Sequence, residues 1–222
     1  MGVLVFLGGE RVLVLVERDY EIMRDIERFR YVLSRHIKIL AGFEGQRACD
    51  RRLKLLIEAE YIGRKKVLYG VPSVYYLTYK GKMLIGANKK QDKIRPEKIP
   101  HDIAVVETAI YFIKKQGITR DEITTEKEIN SLIGFSERKH SPDFVIERNG
   151  KKYCVEIELS IKEKTRFAKI VEENYLGYET QFWIVSKMGL QIKKRLENLS
   201  EKYINIKILD LEGVQEYIRE NQ

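Results

Sequence analysis

The chain has 222 residues, 44% of them hydrophobic, two cysteines and a net charge of +8. That is enough apolar material for one large domain or two small ones, and no apolar run approaches the roughly 18 residues of a membrane span. Cys49 and Cys154 lie far apart and fit a reducing cytoplasm better than a disulfide framework. No Cys/His cluster has zinc spacing.

The basic excess is confined to one half. Residues 1–99 carry 21 Lys and Arg against 12 Asp and Glu, whereas residues 100–222 carry 20 against 21. A basic half joined to a near-neutral half predicts a polyanion-binding module attached to something else.

Val3–Leu7 and Val12–Val16 are β-rich runs around Gly8-Gly9-Glu10-Arg11, which reads as a hairpin. No small-residue cleavage site follows, so no signal peptide is expected. Both faces of this hairpin are apolar, and its cover is either its own domain or a second subunit. Asp19 is placed to cap a helix from Tyr20 to about Phe29. Its inward residues are Tyr20, Met23, Ile26 and Phe29, and Glu21, Arg24, Asp25 and Arg28 face out. Ser34 caps a second short helix carrying His36, which reads as structural. After Gly42–Gly45 a third helix runs from Gln46 to about Glu60. Cys49, Leu53, Leu56 and Ile57 form its buried stripe, and Gln46, Arg47, Asp50, Arg51 and Lys54 form its outer face. A β-hairpin with the basic run Arg64, Lys65 and Lys66 follows, and then a short helix capped by Thr78.

Three helices followed by a hairpin is the winged helix-turn-helix plan. Its third helix would enter the major groove of duplex DNA with Gln46, Arg47, Asp50 and Arg51 near base edges. Arg64, Lys65 and Lys66 would meet phosphates. Residues 86–100 are polar, basic and end in prolines, and they read as a linker or as a basic extension of the DNA surface.

A helix beginning at His101-Asp102 carries Glu107 and ends near Gly117. Residues 118–140 read as loop, with a short helix from Thr125 and a basic Glu137-Arg138-Lys139-His140 ending. Then comes the stretch with the most chemistry, Ser141–Lys162. Asn149-Gly150 signals a tight hairpin turn between two strands, since both residues tolerate positive φ. Period 2 places Glu156 and Glu158 on one face of the second strand, and Asp143 opens the first. Clustered carboxylates on a rigid sheet need a cation or a proton to neutralise them, and a divalent metal is the chemistry expected. Downstream, residues 163–176 read as a helix with Phe167, Ile170, Val171 and Tyr175 inward. Strand 181–186, helix 190–203, strand 204–209 and a short terminal helix complete a mixed sheet with helices on its faces.

This order, with Pro142-Asp143 on one strand and Glu156-Ile157-Glu158 on the next, resembles the PD-(D/E)XK nuclease superfamily. The resemblance implies that Asp143, Glu156 and the Ile157 carbonyl hold Mg²⁺ or Mn²⁺, with Glu107 as a further acid on the first core helix. It implies metal-assisted phosphodiester hydrolysis. Glu158 stands where the superfamily usually has Lys. The missing cation is then Lys169 on the following helix, or Lys162 if the strand bends. His140 precedes the site, within reach of a phosphate, and His101 reads as a helix-start residue.

The whole arrangement from Asp19 to Leu209 is also similar to the replication-relaxation proteins, on the run R-R-L-K-L-L-I-E-A-E-Y-I, the run Y-Y-L-T-Y-K-G, His101-Asp102, P-D-F and V-E-I-E-L-S. That resemblance implies a cytoplasmic protein of a plasmid or other mobile element, working on double-stranded DNA in replication, relaxation or transfer. Plasmid replication or transfer proteins are the implied partners, and a homodimer is compatible with the apolar hairpin. The expected fold class is α/β: an N-terminal hairpin (1–16), a winged helix-turn-helix domain (17–85), a linker (86–100) and a PD-(D/E)XK restriction-endonuclease-like domain with a mixed sheet (101–222). Two readings stay open, an active metal-dependent endodeoxyribonuclease and a non-catalytic DNA-binding regulator with a degenerate nuclease-like domain.

Overall fold

The computed structural model describes residues 4–7, 10–133 and 140–221. The expected Gly8-Gly9 turn and most of the basic run before His140 lie outside the described residues. The chain divides into two compact units, Met1–Ile103 and Ala104–Asn221. No helix among the described residues is long and apolar enough to cross a membrane.

The N-terminal unit opens with β1 (Leu4–Leu7) and β2 (Glu10–Leu13), paired antiparallel. Three helices follow: α1 (Glu17–Phe29), α2 (Ser34–Leu40) and α3 (Gln46–Glu58). An antiparallel ribbon of β3 (Ile62–Lys65) and β4 (Val74–Leu77) comes next, and then α4 (Tyr79–Leu84). Val32, between α1 and α2, exchanges backbone hydrogen bonds with Tyr75 at 3.0 and 2.8 Å and adds a rung to the ribbon. Ile22, Met23, Ile26, Ile37, Leu53 and Leu56 fill the interior between the helices.

Several expectations for this unit need correction. Asp19 is not the cap of α1. Val16 is, and Asp19 sits in the first turn, where its carboxylate accepts from the Val16 N–H at 2.8 Å. Leu33, not Ser34, caps α2. Tyr20 is only half-buried and Ile22 takes its place inside. Asp25, expected outside, is buried. Thr78 does cap α4, accepting from the Gly81 N–H at 3.1 Å.

Helix α5 (Ile99–Gln116) is 18 residues long and starts two residues earlier than expected. The C-terminal unit then contains β5 (Ile123–Thr125), α6 (Glu126–Ile133), β6 (Phe144–Arg148), β7 (Lys151–Glu158), α7 (Lys164–Gly177), β8 (Thr180–Val185), α8 (Leu190–Ser200), β9 (Ile206–Asp210) and α9 (Leu211–Glu220). The five strands form one mixed sheet in sequence order. β5, β6 and β7 pair antiparallel, whereas β7, β8 and β9 pair parallel. The Asn149-Gly150 turn has φ of 53° and 73°, the left-handed pair that joins β6 to β7 most tightly. Parallel neighbours need long crossovers, and α7 and α8 supply them.

Register fixes the faces. Glu156 lies opposite Trp183, and Trp183 opposite Ile208. Phe167, Ile170 and Val171 of α7, with Ile192 and Leu196 of α8, cover that face around Trp183. Phe144, Val155 and Phe182 are opposite one another on the other face. There Phe112 of α5 meets Phe144 and Phe182 edge-on, with ring centroids 6.1 and 5.3 Å apart. Strand β5, three residues long, falls in the stretch expected to be loop. Tyr175 of α7 was expected inside and is 38% exposed, because Asn174 holds the inward position.

Candidate functional site

The C-terminal unit gathers its acids at one end of the sheet. Glu158, Val185 and Asp210 end β7, β8 and β9 in one row, the carboxyl edge where open α/β sheets hold their ligands. The antiparallel β6 starts at this same end, and Asp143 sits just before it. The Asp143 carboxylate accepts from the Ile157 N–H at 2.7 Å, which ties the entry of β6 to β7. Glu156 and Glu158 project on the α7 face and are 4% and 2% exposed.

Glu156 is tightly enclosed. Its Oε1 lies 2.5 Å from His140 Nε2 and accepts from Asn174 Nδ2 at 3.0 Å. Burial pushes the Glu156 carboxyl above its usual range, the His140 hydrogen bond pulls it back, and the Asp143 charge adds to the upward push. For His140, burial disfavours the imidazolium, but the Glu156 hydrogen bond and charge outweigh it and hold its pKa above the ordinary value. Both shifts favour a proton kept between these two groups.

Glu158 has its own cation. Lys162 Nζ lies 2.6 Å from Glu158 Oε2. The contact is an ion pair by distance, without the angle of a directed hydrogen bond. The chain bends after β7, and Arg195 of α8 fixes the bend by donating to the Lys162 carbonyl at 2.8 Å. Lys162 is therefore brought into the cluster. Lys169 is not: its ammonium lies 3.7 Å from Glu173, and its side chain is 74% exposed. Glu107 is buried on α5, the helix on the opposite sheet face, and accepts from Gln215 of α9 at 3.2 Å.

Among the described residues, no group of three or more His, Cys, Asp or Glu is arranged to hold a metal ion. Mg²⁺ asks for less, one or two carboxylates with water and substrate phosphate completing its shell. Asp143 and Glu156 supply such a hard-oxygen pair, so the donor set fits that ion.

The N-terminal unit presents a cationic face. Gln46, Arg47, Asp50, Arg51 and Lys54 are all exposed along α3. Gln46 Nε2 donates to Asp50 Oδ1 at 2.7 Å, and Lys54 lies 3.7 Å from Glu58. Arg64, Lys65 and Lys66 are exposed on and after β3. Lys66 donates to the Val71 carbonyl across the ribbon's loop, and Arg64 lies over the Tyr75 ring at 5.9 Å. Behind this face, Arg52 of α3 reaches inward to Asp19 of α1. Arg52 Nε donates to Asp19 Oδ1 at 2.7 Å, and Nη2 donates to Asp19 Oδ2 and, at 2.9 Å, to the Val14 carbonyl.

In comparisons with family models, curated proteins and solved structures, nothing matches this chain.

Sequence reasoning missed Asn174, Arg52 and Arg195. The first two carried a signal. Asn174 continues the apolar stripe Phe167, Ile170, Val171 at helical spacing, and Arg52 falls between Cys49 and Leu53 on the buried side of α3. A polar residue on an apolar stripe marks a buried partner. Arg195 carried none, because its acceptor is a backbone carbonyl 33 residues away. His36 is fully buried and accepts from the Leu33 N–H at 3.3 Å, a structural role. His101 lies within α5, 3.4 Å from the neighbouring Asp102.

Proposed function

We propose that this protein binds double-stranded DNA through its N-terminal unit and hydrolyses a DNA phosphodiester at the acid–lysine cluster of its C-terminal unit. The observation that carries the reading is the gathering of Asp143, Glu156, Glu158 and Lys162 at the carboxyl edge of the sheet, in a chain whose other half is strongly basic.

The order α1, α2, α3, β3, β4 supports a winged helix-turn-helix. In that reading α3 enters the major groove and Gln46, Arg47, Asp50 and Arg51 approach base edges. Arg64, Lys65 and Lys66 on the β3–β4 wing contact phosphates and set the register. Pro142-Asp143 at the entry of β6, Glu156 on β7 and the mixed sheet support a PD-(D/E)XK-like domain. Asp143 and Glu156 would hold Mg²⁺ or Mn²⁺, with the Ile157 carbonyl as the backbone ligand. A bound divalent cation would polarise the phosphoryl group and lower the pKa of its water. Lys162, positioned by Glu158 and by the Arg195 anchor, faces the charge that develops on the phosphoryl oxygens. Lys162, rather than Lys169, takes the role the superfamily usually gives to the lysine two residues after the second acid. The resemblance to replication-relaxation proteins extends the reading to replication, relaxation or transfer of a mobile element in the cytoplasm.

One observation favours a second reading, a non-catalytic DNA-binding regulator: His140 and Asn174 both occupy the Glu156 oxygen. Parallel assays of the lysines separate the two. If Lys162 is catalytic, Lys162→Ala abolishes metal-dependent nicking of supercoiled plasmid and Lys169→Ala leaves it intact. Equal activity in wild type and Lys162→Ala contradicts the assignment. DNA binding is tested with Arg51→Ala in a fluorescence anisotropy titration, where unchanged affinity removes α3 as the recognition helix.

A further inference from the structure

The segment between α4 and α5 carries Lys89, Lys90, Lys93, Arg95 and Lys98, all exposed. A run of surface cations is by itself only a solvated strip. This one is fastened at two points.

The first is Lys82. It lies on α4, a six-residue helix, and is 2% exposed, which is rare for a lysine. Its ammonium donates to Asp92 Oδ2 and to the Lys90 carbonyl, both at 2.7 Å, and lies 3.2 Å from Glu27 of α1. A buried cation with two carboxylates and a carbonyl holds the 90–92 backbone against α1 and α4. The second is Ile94, which packs against the buried cluster of Tyr31, Leu33, Val74 and Ile99. Val67, Leu68 and Val71, from the loop that follows β3, pack against that same cluster. The cationic strip therefore runs beside the β3–β4 ribbon, where Arg64, Lys65 and Lys66 are also exposed.

We propose that residues 89–98 form a second phosphate-binding arm, continuous with the β3–β4 ribbon and held in place by buried Lys82. This rests on the reading that the N-terminal unit binds DNA, and it adds a second backbone contact beyond α3 and the wing. Its physical basis is pre-organisation. Five cations on a tethered strand meet a phosphate backbone without first ordering a loop. Asp92 is spent on Lys82, which leaves Glu97 as the strip's exposed acid against its five cations. The ligand is the sugar–phosphate backbone, read by charge and spacing, so the arm adds affinity without sequence preference.

The test is equilibrium binding of the full chain to a duplex oligonucleotide over a range of salt. Three chains are compared with wild type: the surface triple Lys89→Gln, Lys93→Gln, Arg95→Gln; Asp92→Asn; and Arg51→Ala. Each phosphate contact contributes about 0.9 to the slope of log K against log salt. The triple variant is expected to have a slope shallower by about 2.7. Asp92→Asn separates the tether from bulk charge. It raises the net charge by one, so a purely electrostatic strip binds DNA as well or better. A tethered arm binds it roughly threefold to tenfold more weakly, the equivalent of one lost hydrogen bond. An unchanged slope in the triple variant, with Arg51→Ala weakened, overturns the arm and leaves the DNA reading standing. Equal or tighter binding by Asp92→Asn overturns the tether. No binding by wild type at any salt removes the DNA reading and the arm together.

Discussion

Arg52 is the residue on which the geometry of the basic unit is expected to depend most. It joins α3 to α1 and to the chain before α1 through one guanidinium. Asp19 is fully buried, and its carboxylate also accepts from the Val16 N–H. Arg52→Met keeps much of the volume and removes the cation, which strands a buried carboxylate. Stranding one partner of a buried pair costs about 3–5 kcal/mol, a large share of the ~5–15 kcal/mol that holds a domain folded. Removing both charges is different. Asp19→Leu with Arg52→Met leaves the Val16 N–H and the Val14 carbonyl without these partners, at about 1 kcal/mol each, and strands no charge. The double variant should therefore be more stable than the single one. Urea denaturation followed by far-UV circular dichroism measures both. The chain's one tryptophan, Trp183, lies in the C-terminal unit, so its fluorescence reports that unit separately. A single-variant cost below about 1 kcal/mol, or a double variant less stable than the single, would refute the view of this pair as a buried, mutually dependent lock.

Four further outcomes follow from local geometry. Tyr31 donates to the Asp102 carboxylate, and burial followed by that carboxylate holds its pKa above the ordinary tyrosine value. A raised folded-state pKa gives stability that is full below about pH 10 and lost as pH rises past it. Tyr31→Phe should therefore lose less stability than wild type between pH 9 and pH 11 in parallel melts, and an identical decline would contradict this. Asp102 is pushed up by burial but brought below its usual range by the His101 and Tyr31 hydrogen bonds, so its contribution is present above about pH 4 and fades as pH falls. Gly81 leaves no room for a side chain, since a Cβ there would lie 2.1 Å from the Tyr61 carbonyl oxygen. Gly81→Ala should cost about 1–3 kcal/mol, and a neutral result in thermal melting would show that α4 shifts freely. Asn149 holds φ at 53°, so Asn149→Ala should cost about 1 kcal/mol and Asn149→Gly little. The same loss in both would mean that the turn is fixed by something other than backbone conformation.

Local signals were the legible ones. Asn149-Gly150 marked the β6–β7 turn because tolerance of left-handed backbone is set by the residue types themselves. The stripe Cys49, Leu53, Leu56 marked α3, and alternation placed Glu156 and Glu158 on one face. What stayed hidden depends on partners distant in sequence. Asp25, Arg52 and Lys82 are charged residues, and all three are buried. The pairings that draw in Arg52 and Lys82 span 33 and 10 residues. β5 escaped because three residues carry too little alternation to register as a strand. In the acid cluster the carboxylates were readable from the strand pattern. Lys162 was readable only on the condition that the strand bends, and the bend that returns it to Glu158 is held by Arg195 on another helix. That Lys162 pairs with Glu158, and Lys169 with Glu173, is visible only in the fold.

The central claim is that the cluster at the carboxyl edge of the sheet cuts DNA, and plasmid nicking tests it most directly. Supercoiled plasmid is incubated with Mg²⁺ or Mn²⁺ and either the wild-type chain or Asp143→Ala. Asp143→Ala removes the proposed cation ligand and leaves the proposed DNA-contacting face of α3 untouched. The account predicts open-circular or linear product with wild type, and none with Asp143→Ala at unchanged DNA affinity. Equal product from both chains, or none from wild type under either metal while it binds DNA, would contradict it.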